Sequence, residues 1–80
     1  MPMIDGFKVY LPRHTRANDA RVVWAVTDVI AQARKFMAFN PTRQCYVTVE
    51  WKGNAYVAKA RYSSDQGTST VGCAFGKRSN

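Results

Sequence analysis

Acidic residues, histidine and cysteine are all scarce in this 80-residue chain. It has five Asp and Glu residues, one histidine and two cysteines. A structural zinc site needs roughly four Cys or His ligands, so Cys45, Cys73 and His14 cannot form one. The five acids are scattered along the sequence and offer no carboxylate pair for acid–base catalysis or for magnesium. We therefore expect no metal site.

Catalytic motifs are lacking as well. Nucleophilic catalysis needs a Ser or Cys beside a base, but His14 lies in a loop between Arg13 and Arg16, and both cysteines fall on predicted inward strand faces. The five glycines fall at turns, at strand ends or inside a strand, and none belongs to a phosphate-binding loop. We predict that the protein is not an enzyme and uses no cofactor.

Long apolar runs are absent. No run approaches the roughly 20 residues that cross a bilayer, and the first residues show no basic stretch followed by an apolar one. The sequence therefore predicts no membrane partner, no secretory signal and a cytoplasmic location.

One long amphipathic helix is predicted over residues 18–39. Asn18 suits the N-cap, Asp19 suits the first turn, and Pro41 stops the helix. Seven apolar residues fall within an arc of about 120°, as expected for a helix that faces a core. They are Val22, Val26, Val29, Ile30, Ala33, Phe36 and Met37.

Alternating apolar and polar residues predict four strands. The first covers residues 7–11 and the second residues 44–52, and Gly53 and Asn54 then form a two-residue hairpin turn. That turn sets a register in which the apolar faces of the second and third strands coincide. The predicted pairs are Trp51 with Tyr56, Val49 with Ala58, Val47 with Ala60, and Cys45 with Tyr62.

The last strand follows a second turn over residues 63–67. With Gln66 and Gly67 as the loop, Val71, Cys73 and Phe75 point inward, opposite Tyr62, Ala60 and Ala58. Cys45 and Cys73 then lie on either side of the central strand, about 10 Å apart, which is too far for a disulfide. Both are predicted to be buried free thiols.

These elements predict one α+β domain over residues 1–80, ordered β-α-β-β-β, with residues 76–80 as a flexible tail. A single amphipathic helix packs on one face of a four-stranded, mostly antiparallel sheet. A right-handed crossover makes the first strand parallel to the second and places it at an edge.

Basic residues are in excess, with twelve Lys and Arg and a net charge of +7. Nucleic acid is the commonest partner for such a balance, although acidic protein surfaces are attracted equally, and the charge could also serve solubility alone. The predicted strand directions bring most of this charge to one end of the sheet, which we call the basic end. Its residues are Arg13, His14, Arg16, Arg21, Lys52, Lys77 and Arg78.

Two further features suggest binding. Trp24 lies opposite the predicted core face of the helix, so it either anchors a partner or packs under the loop of residues 12–17. On the sheet face away from the helix, Tyr46 lies beside Arg61 and Thr48 beside Lys59, with Tyr10 and Lys8 adjoining. Such a face resembles the stacking platforms of RNA-binding modules, but solvated cross-strand pairs have the same pattern. Of these two interpretations, the sequence favours solvated cross-strand pairs.

The chain carries no family motif. In its size, its lone helix on a small sheet and its lack of motifs, it resembles the small proteins that phages use against host defences, anti-CRISPR proteins in particular. The resemblance covers the whole chain as a general form. It implies a non-enzymatic inhibitor that blocks a nucleoprotein effector, although the +7 charge departs from the acidic DNA mimics among those inhibitors.

The sequence thus predicts a binding protein whose basic end, with Trp24, engages nucleic acid, a nucleoprotein complex or an acidic protein surface. The alternative is a protein–protein interaction module, such as a homodimer formed through an edge strand and the outer face of the helix.

Overall fold

The computed structural model describes residues 3–77 and shows an α+β fold with one helix packed against a five-stranded mixed sheet. The strands follow one another across the sheet in chain order. The second and third are parallel, and all other neighbours are antiparallel. The elements are β1 (Met3–Ile4), β2 (Phe7–Tyr10), α1 (Ala20–Phe39), β3 (Cys45–Trp51), β4 (Ala55–Ser64) and β5 (Gly67–Lys77).

The additional strand is β1, and it covers the edge that the sequence assigned to residues 7–11. Met3 pairs with Lys8 in an antiparallel hairpin. The turn residues Asp5 and Gly6 have φ angles of 51° and 86°. A two-residue strand is too short to show alternation, but Asp-Gly is a strong hairpin signal, because both turn residues need positive φ.

The N-cap of the helix lies one residue later than predicted. Asp19, rather than Asn18, is the N-cap, and its carboxylate accepts a hydrogen bond from the backbone N–H of Arg21 at 2.9 Å. A carboxylate in this position also interacts favourably with the helix dipole.

The predicted inner arc of α1 is confirmed. Its fully buried members, which include one alanine absent from the prediction, are Val22, Ala25, Val26, Val29, Ile30 and Ala33. Phe36 and Met37 are partly buried against this core. No helix within residues 3–77 is long and apolar enough to cross a membrane.

The hairpin of β3 and β4 has the predicted register throughout, from Trp51 opposite Tyr56 to Cys45 opposite Tyr62. Its apolar side chains therefore face α1 together, and Val47, Ala58 and Ala60 have no exposed surface. The small alanines of β4 leave room for the helix.

The register of β5 against β4 differs from the prediction. The turn consists of Asp65 and Gln66, because Ser64 pairs with Gly67. A β-bulge then shifts the register, so that Arg61 pairs with Thr70 but Ala60 pairs with Gly72. A bulge adds one residue to a strand and reverses the faces of every residue that follows it.

Because of the bulge, two residues of β5 that the sequence predicts to point inward point outward instead. Cys73 and Phe75 lie on the face away from α1 and are exposed, so Cys45 is the only buried thiol of the two. Both cysteines are free. The strand also continues to Lys77, so the predicted tail of residues 76–80 is wrong at its first two positions, and its remaining residues lie outside the described part of the chain.

Two glycines allow β5 to approach the helix closely. A Cβ atom on Gly76 would collide with the backbone oxygen of Arg21, and one on Gly72 would lie 2.9 Å from the Cβ of Gln32. In this position Gln32 reaches the open edge of β5: its Nε2 donates to the Cys73 carbonyl at 3.2 Å, and its Oε1 accepts from the Cys73 N–H at 3.3 Å.

Candidate nucleic-acid interface

The basic end is assembled where β3 ends and α1 begins. The loop between β2 and α1 exposes Arg13, His14 and Arg16. Within that loop, the Thr15 hydroxyl lies 3.4 Å from the phenol oxygen of Tyr56 at the start of β4. The structure therefore brings the loop, the helix start and the β3–β4 turn to the same end of the sheet.

Arg21 is already engaged within the protein. Its Nε and one terminal nitrogen donate to the two carboxylate oxygens of Asp19, at 3.2 and 3.0 Å. Its guanidinium carbon also lies 5.5 Å from the ring centroid of Trp51 and 5.0 Å from that of Tyr56. The hydrogen bond from Arg21 lowers the pKa of Asp19. Arg21 thus connects the helix start to the end of the sheet, and its side chain is 32% exposed.

Lys52 is also paired. Its Nζ lies 2.8 Å from a carboxylate oxygen of Glu50, and that contact lowers the pKa of Glu50. By contrast, Arg13 and Arg16 form no ion pair with any residue in 3–77. Lys77 is the last residue of β5, and its side chain and Arg78 lie outside the described residues.

The face of the sheet that α1 leaves uncovered, here called the outer sheet face, holds a second group of basic and aromatic residues. The predicted pairs of Tyr46 with Arg61 and of Thr48 with Lys59 are confirmed. Tyr10 of β2 pairs with Thr48. The residues of this face are Lys8, Tyr10, Tyr46, Thr48, Glu50, Val57, Lys59, Arg61, Cys73 and Phe75.

Three aromatic rings lie on the outer sheet face. Tyr10 and Tyr46 make an edge-to-face contact with their centroids 5.6 Å apart. Phe75 lies opposite Val57 and is 63% exposed. The sequence does not predict the outward position of Phe75, because the apolar and polar pattern of β5 does not indicate the bulge that turns this residue outward.

The basic residues of this face are Lys8, Lys59 and Arg61. Arg61 is half-buried, and its Nε is shielded from solvent without an acceptor in the described part of the chain. A shielded donor without an acceptor is unfavourable, so a movement of the Arg61 side chain that brought Nε to a phosphate oxygen would improve its environment. The one acid on this face is Glu50, which Lys52 already neutralises.

A shallow groove of about 810 Å³ crosses the outer sheet face over β2 and β3. Lys8, Tyr10, Tyr46 and Thr48 line it, with Met3 of β1 at its side. Lys8, Tyr10 and Tyr46 therefore border a concave surface, whereas Lys59, Arg61 and Phe75 lie on the sheet beyond it.

Trp24 lies on the opposite side of the molecule. It is 73% exposed, which excludes one of the two alternatives left open by the sequence, that it packs under the loop of residues 12–17. Because α1 covers the inner sheet face, Trp24 and the outer sheet face point in different directions. One ligand lying on the sheet would not reach it.

Among residues 3–77, no three His, Cys, Asp or Glu side chains come together as metal ligands would. No protein-family model, no curated protein and no solved structure matches this chain. Any functional conclusion therefore depends on the chemistry of its own surface.

Proposed function

We propose that this protein binds single-stranded nucleic acid on its outer sheet face and acts as a binding protein rather than an enzyme. The observation that carries the proposal is the presence of three aromatic rings and three basic side chains on one uncovered face. Proteins that bind single strands combine aromatic rings, on which bases stack, with basic side chains that follow the phosphates.

The spacing on this face suits such a strand. Tyr46 and Phe75 lie two strands and four residues apart, which places them about 17 Å from each other at ordinary sheet spacings. Lys59 and Arg61 project from β4 between them. A chain of bases crossing from β3 to β5 would therefore pass over basic side chains between its two stacking positions.

Arg61 is the best candidate for a phosphate contact. Its guanidinium is partly desolvated and lacks an acceptor for Nε within residues 3–77. Charge-assisted hydrogen bonds to phosphate are stronger than neutral ones, and arginine can form two in parallel. Arg13 and Arg16 follow β2 along the chain, so they could extend the phosphate path beyond the sheet.

This proposal moves the interface away from the residues that the sequence favoured. Arg21 and Lys52 have internal partners, and Trp24 faces the other way, whereas Tyr10, Tyr46, Lys59 and Arg61 share one surface. Inhibition of a nucleoprotein effector, which the resemblance to anti-CRISPR proteins implies, stays a prediction. A protein that covers a single-stranded guide or target would act in that way.

The test is fluorescence anisotropy with a labelled single-stranded oligonucleotide of about 12 nucleotides and the matching duplex. We expect tighter binding to the single strand, with an affinity that falls steeply as salt rises. Tyr46→Ala should cost about 1–3 kcal/mol of binding free energy through lost stacking. Lys59→Gln with Arg61→Gln should weaken binding at least about tenfold and reduce the salt slope by about 2.

A matched control removes one Lys and one Arg from the helix side, as Lys35→Gln with Arg34→Gln. It should change the affinity much less than the Lys59 and Arg61 pair does. Equal losses for the two pairs would mean that only the net charge matters. Absence of binding to either oligonucleotide at low salt would refute the proposal outright.

A further inference from the structure

The exposed side of α1 forms a second surface with a different composition. Its largest apolar residues are Trp24, 73% exposed, and Phe39, 86% exposed. Between them the same side carries Asp28, Ala31 and Lys35, all exposed. We propose that this surface, the helix dimer face, binds a second copy of this chain in an antiparallel, two-fold arrangement.

The spacing of these residues is self-complementary. In a two-fold antiparallel pair, two residues meet when they lie equally far on either side of the axis. Asp28 and Lys35 are equidistant from the midpoint between residues 31 and 32, and so are Trp24 and Phe39. An axis through that midpoint therefore sets each Asp28 opposite the partner's Lys35, and each Trp24 opposite the partner's Phe39.

These residues also share one side of the helix. At 100° per residue, Asp28 and Lys35 lie 20° apart around the axis, and Trp24 and Phe39 lie within about 30° of the line between them. Ala31 lies close to the midpoint along the helix, about 50° to one side of that line. Asp28 and Lys35 are about 10.5 Å apart along one helix, so they do not neutralise each other within a single copy.

A groove on the exposed side of α1 adds apolar surface next to the helix dimer face. An open cleft of about 530 Å³ lies beside Trp24, lined by Val23, Thr27, Asp28 and Ala31. The two-fold arrangement places the partner's Phe39 level with Trp24 along the helix axis, and Trp24 itself borders this cleft. Offset or edge-to-face aromatic contacts of this kind add to the burial of apolar area.

The self-complementary charges favour a second copy over an unrelated partner. One helix face buries less area than a standard protein interface, so the dimer is expected to be weak and to depend on protein concentration. The dimer face and the outer sheet face lie on opposite sides of the molecule. Dimerisation would therefore leave both outer sheet faces open.

Charge reversal tests the arrangement by sedimentation velocity over a concentration series. Asp28→Lys and Lys35→Asp should each weaken self-association at least about tenfold, because each places like charges opposite one another. The double variant should restore it, since the pairs are merely exchanged. Trp24→Ala should weaken self-association by a similar factor through loss of the anchor.

Arg16→Asp is the control, because it makes the same charge change as Lys35→Asp at an exposed position in the loop before α1. It should leave self-association unchanged. A protein that stays monomeric at all accessible concentrations would overturn the proposal. So would a dimer that survives both single reversals, which would have to form elsewhere, as through the edge of β5. Circular dichroism of each variant verifies that the fold is retained.

Discussion

At the scale of single residues, Arg21 shows how a side chain that the sequence predicts as a ligand contact can also stabilise the fold. In sequence it is an arginine near a helix start, at a basic end. In the structure it donates two hydrogen bonds to Asp19 and lies over the rings of Trp51 and Tyr56. Sequence periodicity could place Arg21 at that end. It could not indicate that the guanidinium would bind Asp19, two residues before it, and lie against one aromatic ring from each of β3 and β4.

The two cysteines give a direct residue-scale prediction. Cys45 is 2% exposed, and burial raises the pKa of its thiol. Cys73 is exposed on the outer sheet face. Because the thiolate is the reactive form, a disulfide reagent should modify one thiol rapidly at neutral pH and the second only on unfolding.

The control for this measurement is Cys73→Ser, in which the rapid phase should disappear. Rapid modification of both thiols in the native protein would contradict the burial of Cys45. Protection of both would restore the inward position that the sequence assigned to Cys73, and the bulge in β5 would then be wrong.

At the scale of elements, the contrast between the two hairpins explains what the sequence could predict. Gly53 and Asn54 define the turn of the β3–β4 hairpin, and from that turn all the pairs follow by simple counting. The β4–β5 hairpin has its turn one residue earlier than predicted and a bulge before its midpoint. The alternation of apolar and polar residues does not show where a strand contains an extra residue. It therefore predicts that Cys73 and Phe75 point inward.

One signal in the sequence does mark the true inner face of β5. Gly72, Ala74 and Gly76 alternate as small residues, and they face the helix where it lies closest to the sheet. Alternating small residues do not raise the hydrophobicity of one strand face, so the pattern of large apolar residues points to the opposite face. The same difficulty does not affect α1, whose inner face is marked by large aliphatic side chains.

The close approach of β5 and α1 gives an element-scale prediction. Replacing glycine by alanine within a strand ordinarily stabilises a protein slightly. Here Gly76→Ala should lower the free energy of unfolding by about 1–3 kcal/mol, since the new methyl group meets the Arg21 backbone, which cannot move aside. Urea denaturation measures the change.

Gly72→Ala provides the matched comparison. Its methyl group would meet the side chain of Gln32, so its cost should fall in a Gln32→Ala background, which removes Oε1 and Cδ. It should not vanish, because the Cβ atom at position 32 stays 2.9 Å from the new methyl group. The cost of Gly76→Ala should persist in that background. If Gly76→Ala proved neutral or stabilising, β5 would not lie against the helix start as described.

At the scale of the whole molecule, the helix divides the protein into two sides with different chemistry. The outer sheet face carries basic residues with exposed rings, and the helix side carries Trp24 and Phe39 around a balanced pair of charges. The net charge of +7 gives no indication of this division. The sequence already places Tyr46, Lys59 and Arg61 together on the outer sheet face, but it does not place Phe75 there, because that position depends on the bulge in β5.

The central claim is that the outer sheet face is the nucleic-acid interface. The most direct measurement is a titration of ¹⁵N-labelled protein with the single-stranded oligonucleotide, followed by amide chemical shifts. We expect the largest shifts at Tyr10, Tyr46, Lys59, Arg61 and Phe75, with little change over residues 23–31 of the helix. Shifts confined to the loop of residues 12–19 and to the helix side would contradict it.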